Sequence, residues 1–167
     1  VPFTSVKVVE NSFWGQRLEA NRKVTIPLAF SKCEESGRYK NFQYAAHPSK
    51  DYDVNKLEPF SFDDTDPYKT IEGASYILQT YPDAKLKAYI DSVLDIIATA
   101  QEADGYLYTA RTMNPEHPHS WSGKTRWSKE ESLSHELYSL GHMVEGAVAH
   151  YQATGSRKFL DIAIRYA

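Results

Sequence analysis

Hydrophobic and polar positions along the chain alternate with a helical period almost throughout. One exception opens the sequence. Ser5 to Glu10 alternates weakly and carries Val6, Val8 and Val9, which predicts a short strand. Thr25 followed by Ile26 and Pro27 predicts an N-cap with proline in the first turn, and Gly37 closes that helix. Arg38 to Asp63 is polar and mixed, holds Pro48 and Pro59, and reads as a long loop. The next helix starts near Asp66-Pro67 and runs to about Tyr81, with Tyr68, Ile71, Ser75 and Leu78 on one face. Asp83 caps another, whose stripe of Leu86, Ile90, Val93, Leu94 and Ile97 continues as far as Ala103, before Asp104-Gly105. A loop from Gly105 to about Trp127 is too long for a simple connector. Beyond it, Ser128 and Glu131 have capping-box spacing, although a start a few residues later also fits. That helix passes Leu137, Leu140, Val144 and Val148 to Gly155, and Ser156 caps a last one that reads as unfinished at Ala167.

An internal repeat runs through these helices. Ile71-Glu72-Gly73-Ala74 aligns with Val144-Glu145-Gly146-Ala147, and without gaps Pro82-Asp83 then falls on Gly155-Ser156 and Lys85 on Lys158. Each copy reads as helix, breaker, N-cap, helix, which is an αα-hairpin. Hairpins separated by long loops suit an α/α toroid better than a tight solenoid. The expected fold is therefore mainly all-α, an incomplete α/α barrel of hairpins with a short N-terminal strand, and residues 1–167 form the N-terminal portion of one such domain.

Composition narrows the function. The 167 residues carry a net charge of −3 with the signs well mixed, which argues against nucleic-acid binding, and no apolar run is long enough to cross a membrane. One cysteine, Cys33, excludes an internal disulfide framework and a thiolate zinc cluster built from this chain alone; it lies on the apolar side of its helix and reads as buried and inert. Aromatic residues reach 13%, with 12 Tyr and 3 Trp, which suits a ring-lined cleft. Val1 to Lys7 lacks a basic start followed by an apolar stretch, and a processed leader would leave the same beginning, so the compartment stays open.

The densest chemistry is Ser134 to His142. A zincin motif needs a second His four residues after His135, and position 139 is Ser, so that reading fails on geometry. On a helix, His135, Tyr138 and His142 share one face, Glu145 lies close to its continuation, and Glu136 points elsewhere. Imidazole and phenol groups without a strong nucleophile suit gripping sugar hydroxyls. The acids Asp63, Asp64 and Asp66 sit at a helix N-terminus, where capping is the ordinary role, though paired-carboxylate glycosidase chemistry also uses such groups. His47, His117 and His119 fall in loops and read as solvated.

These residues carry a resemblance. Phe13-Trp14 with Arg17, Asp64 to Lys69, Asp104 to Leu107, Arg126-Trp127, His135 to Tyr138, Gly141-His142, Glu145 to Ala149 and Tyr151 to Gly155 together resemble the N-terminal part of glycoside hydrolase family 127, the β-L-arabinofuranosidase-like enzymes. The resemblance spans about Val6 to Ala167. It implies an (α/α)6 barrel followed by β-sandwich domains, and retaining hydrolysis by a zinc-bound cysteine thiolate with a Glu as acid/base. In the family those groups, and the ligands of the expected Zn2+, lie downstream of this chain, and Cys33 matches none of them. What carries over is substrate binding: His135 donating to a hydroxyl of the terminal sugar, Gln43 as a weaker candidate, and Asp64, Tyr138 and His142 as supporting groups. The implied partner is an arabinofuranoside-containing oligosaccharide, with no nucleic acid and no membrane, and a homodimer is compatible with it. Thr70, where many relatives carry a large aromatic, and the His117 to Lys124 loop depart from the family pattern. Two other readings remain open at this level: an α/α-toroid lyase, epimerase or hydrolase using His and Tyr as acid and base, and a non-catalytic helical module that binds a partner or glycan.

Overall fold

The computed structural model describes residues 3–167, and among them there are helices and loops but no strand. Phe3–Ser5 forms a single 3-10 turn. Val6 and Val9, which predicted a strand, are 57% and 73% exposed. Their β-branched side chains favour an extended backbone, but no neighbouring strand takes up its hydrogen bonds, so no strand forms.

Ser12 caps α1 (Phe13–Ala20) through its Oγ, which accepts the Gly15 N–H at 3.1 Å. A π-helical turn over Asn21–Thr25 joins α1 directly to α2 (Ile26–Glu35). Thr25 thus lies inside a continuous helical run, with φ −65° and no capping bond, and is not the N-cap its sequence suggests. The widened turn falls just upstream of Pro27, which has no N–H to give an ordinary helical bond. Gly37 does end α2, with φ 82°. The chain re-enters a helix at once in α3 (Arg38–Ala46), which corrects the long loop expected from Arg38 onward. Tyr39, Phe42 and Ala45 fall three residues apart and are buried, so a narrow stripe suffices to seat α3. A short turn, α4 (Val54–Leu57), buries Val54.

The repeat is present as two hairpins. The first is α5 (Thr65–Thr80) with α6 (Ala84–Thr99), the second α8 (Glu136–Thr154) with α9 (Lys158–Tyr166). Asp83 caps α6 as expected, its carboxylate accepting the Lys85 and Leu86 N–H groups. Ala74 and Ala147, which correspond, are both fully buried. Their glycine neighbours face different partners. A Cβ on Gly73 would meet only the Ile26 side-chain tip of α2 at 3.2 Å, whereas one on Gly146 would meet the Tyr68 carbonyl of α5 at 2.9 Å. The second hairpin therefore sits backbone-close against the first, and α5 and α8 form the most extensive helix pair of the molecule. On the other layer α3 packs on α6, and Lys158 Nζ of α9 donates to the Asp91 carbonyl of α6.

Both long connections, 47–64 and 100–135, leave α3 and α6 and enter α5 and α8, and they pack on each other. Asn114 Nδ2 donates to the Tyr52 carbonyl at 3.1 Å, and α7 (Thr109–Thr112) lies in the second connection. The Ser128–Glu131 capping box does not form. Ser128 Oγ instead donates to the Thr125 carbonyl, and α8 begins eight residues later. The Glu130 carboxylate reaches forward to accept the Glu136 and Leu137 N–H groups at 2.9 and 3.1 Å. A helix N-terminus is capped here by a carboxylate from the loop before it. Among the described residues no helix is long and apolar enough to cross a membrane.

Candidate functional site

The end of the molecule built by the two long connections carries the predicted residues. Its floor is acidic. Asp64 occupies the N-cap position of α5, with φ −57° and no capping bond, so the expected capping role is not the one it fills. Its carboxylate accepts the Thr109 N–H at 2.9 Å and the Thr109 hydroxyl at 2.6 Å. The same hydroxyl lies 2.8 Å from Glu58 Oε2. Glu58 and Asp64 are 0% and 1% exposed. A hydroxyl has one proton, so it cannot donate to two carboxylates at once. Thr109 Oγ1 therefore donates to one of the two carboxyls and accepts from the other, which holds a proton of its own. Burial is the main cause raising both carboxyls above their usual range, and it favours this shared proton. Neighbouring Asp63 is paired instead with Arg38 at 3.0 Å.

Above this floor runs a row of rings. His135, just ahead of α8, has φ 61°, an unusual conformation for a non-glycine residue. Three contacts hold it there. The Tyr108 hydroxyl donates to the Ser134 carbonyl, Ser61 Oγ donates to the Leu133 carbonyl at 3.0 Å, and Glu130 fastens the first N–H groups of α8. His135 Nδ1 lies 2.5 Å from the Leu133 carbonyl, and a carbonyl only accepts, so Nδ1 carries the hydrogen. With Nδ1 engaged by the loop, Nε2 is the ring nitrogen left to meet a ligand. Ring centroids then follow from His135 to Tyr138 at 5.6 Å and from Tyr138 to His142 at 4.6 Å, each edge-on. His142 Nδ1 is 3.2 Å from Glu145, the carboxylate expected to continue the face. Glu136 does point elsewhere. It is buried and accepts the Tyr106 hydroxyl and the Trp127 N–H.

Two residues that sequence reasoning missed complete the row. Phe62 packs edge-on against His135 at 4.9 Å, and Lys69 Nζ donates to the Tyr138 hydroxyl. The repeat held a signal for the first, since an offset of 73 places Phe62 on His135. Gln43 does not join this row. It is exposed on α3, in a shallow hollow shared with Asp95, Ile96 and Thr99 of α6, and makes no hydrogen bond to the row residues. His119 is not solvated as expected. It is 2% exposed, accepting the Trp121 N–H at Nδ1 with Nε2 facing the Pro59 carbonyl, because fastening the two connections together needs a buried double-ended polar ring.

Among the described residues no three His, Cys, Asp or Glu side chains converge as metal ligands. Cys33 is 5% exposed, its thiol 3.9 Å from Thr70 Oγ1, and burial pushes its pKa up, the opposite of what a metal-bound or nucleophilic thiolate requires. These residues do not fit a zinc centre.

The molecule is thus of the α/α-hairpin class, with one end that presents polar rings over a buried acidic floor. Its relatives sharpen that class. The β-L-arabinofuranosidase GH127 catalytic domain matches residues 5–167. A non-reducing end β-L-arabinofuranosidase of Bifidobacterium longum subsp. longum is 42% identical over 106 residues, 64% of this chain and 16% of that protein. A solved GH127 β-arabinofuranosidase superposes with a TM-score of 0.95 at 76% identity, covering 99% of this chain and 26% of its own. A GH127 β-L-arabinofuranosidase of Geobacillus stearothermophilus T6 superposes with 0.79 at 32% identity, covering 95% and 24%. The chain belongs to the GH127 family and lies in its catalytic domain. It spans about a quarter of the two solved relatives and less of the curated one.

Proposed function

We propose that the protein carrying this chain is a glycoside hydrolase that removes terminal L-arabinofuranose, or a closely related pentose, from plant glycans. The observation that carries this reading is the row His135–Tyr138–His142 at the loop-built end of a GH127 catalytic domain. In it, His135 binds a hydroxyl of the terminal sugar. Because Nδ1 is spent on the Leu133 carbonyl, it is Nε2 that meets this hydroxyl. Tyr138, held by Lys69, and His142 orient the ring row, while Asp64 acts from beneath through Thr109. The two hairpins form one wall of the pocket in a closed (α/α)6 barrel.

The retaining zinc–thiolate chemistry of the resemblance belongs, in this reading, to residues other than those described, and metal analysis of the whole enzyme tests it. No step of it is assigned to Cys33. In the whole enzyme, His135→Ala is expected to lower kcat/KM by the equivalent of about 1.5–3 kcal/mol, the cost of losing a hydrogen bond to a charged or strained group. An unchanged kcat/KM on arabinofuranosides overturns the assignment.

A further inference from the structure

The ring row does not stop at His135. Phe62, edge-on to His135, stacks on Phe60 with 5.4 Å between centroids and 17° between planes. Trp121, from the second connection, stands 6.1 Å from Phe60 and 6.4 Å from Phe62, tilted 52° and 35° to them. Phe60 and Phe62 thus lie parallel and offset, one partly over the other, with Trp121 as a wall beside them. Phe60 is 46% exposed although it sits between buried Glu58 and buried Ser61, so its ring is displayed by the loop and not packed into the core.

The backbone beneath these rings is pinned at several points. Ser61 Oγ donates to the Leu133 carbonyl, and Asp64 is tied to Thr109. Trp121 gives its N–H to His119 Nδ1 at 3.1 Å, and Ser120 gives its N–H to Asn55 at 3.0 Å. An exposed ring, Phe60, beside the half-buried Phe62 and Trp121 on a braced backbone is a preorganised binding surface. Phe62 touches both His135 and Trp121, so a unit bonded to a sugar held at His135 is within reach of these rings.

We propose that Phe60, Phe62 and Trp121 form a second carbohydrate subsite, which stacks the C–H face of the sugar unit attached to the terminal pentose. The proposal rests on the reading that His135 binds that terminal sugar. It makes the preferred substrate an arabinofuranosyl oligosaccharide whose penultimate unit is a sugar, and the rings leave its hydroxyls free at their edges.

The test uses the whole enzyme with two probes, methyl β-L-arabinofuranoside and a β-L-arabinofuranosyl disaccharide. Trp121→Ala and Phe60→Ser are expected to lower kcat/KM for the disaccharide about tenfold more than for the methyl glycoside, mainly through KM. Trp121→Phe restores most of the difference and guards against a merely misfolded variant. Equal losses on both probes, or no loss on either, overturn the subsite, and are the results expected if another part of the same enzyme covers the rings. If the wild-type enzyme hydrolyses neither probe, the functional reading fails. Calorimetric titration of the disaccharide then decides the subsite separately, with about tenfold weaker binding by Trp121→Ala supporting it and unchanged binding overturning it.

Discussion

The N-terminal ends of α5 and α8 occupy equivalent places in the repeat and are built in opposite ways. At α5 the chain enters the helix through Asp64 in ordinary helical conformation, φ −57°, and a polar cluster turns inward: Glu58, Asp64 and Thr109 are buried and share one chain of hydrogen bonds. At α8 it enters through His135 in the left-handed region, φ 61°, and the polar rings turn outward along Tyr138 and His142. The first end fastens the scaffold and the second spends local backbone strain on presenting a side chain. Strain of this sort persists only where surrounding contacts over-determine it. Ser61, Tyr108 and Glu130 of the two long connections supply those contacts. The loops that precede the two hairpins thus hold the α8 entry in place.

The largest effect that would break this contrast is expected at Thr109. Thr109→Val keeps the shape but leaves Glu58 without a partner and Asp64 with only a backbone donor, and is expected to cost about 3 kcal/mol. Thermal unfolding of the enzyme, with hydrogen exchange read over 58–64 and 105–112, measures it; a neutral outcome would mean the floor holds nothing. The paired glycines come next. Gly146→Ala drives a Cβ toward the Tyr68 carbonyl and should cost about 1–3 kcal/mol, whereas Gly73→Ala meets only the movable Ile26 tip and gains helix propensity of up to about 1 kcal/mol. Similar melting shifts for the two would contradict the backbone-close seating of α8.

Titration sharpens the same comparison. The folded Glu58–Asp64 pair keeps a proton that the unfolded chain releases from about pH 4–5 upward. Stability is therefore full below that range and falls as pH rises through the raised folded pKa values, by up to about 1.4 kcal/mol per pH unit. Glu58→Gln carries a permanent donor to Thr109 and should flatten the stability–pH curve across that window in urea titrations. A curve as steep as wild type would locate the proton elsewhere. The smallest effect belongs to the α8 end. Glu130→Ala removes the cap from two N–H groups, costing about 1 kcal/mol of stability and loosening exchange at the first turn of α8. Unchanged exchange there would free His135 from dependence on that cap.

The sequence is most legible where local rules act alone. Asp83 caps α6, Gly155 with φ 70° ends α8, and the offset of 73 pairs the two hairpins. It is least legible where tertiary contacts overrule them. The valines of Val6 to Val9 promise a strand that has no partner. α3 hides behind Arg38, Lys40, Asn41 and Gln43 because its apolar stripe is only Tyr39, Phe42 and Ala45. Ser128, eight residues before the helix starts, offers a cap that Glu130 supplies instead. At the candidate site, the one-face alignment of His135, Tyr138 and His142 was visible from spacing. The bond from Asp64 to Thr109 spans 45 residues and that from Glu58 to Thr109 spans 51, so no local pattern announces them.

Cys33 gives the molecule a built-in clock. It is the chain's one thiol, and it sits at the base of a surface hollow between α2 and α5 that Lys32, Asp66, Lys69 and Thr70 also line. An alkylating reagent meets it there with only 5% of the residue exposed, so its labelling rate reads how far that hollow widens. In the native protein, slow labelling that speeds up in mild urea would time the loosening of α2 on α5.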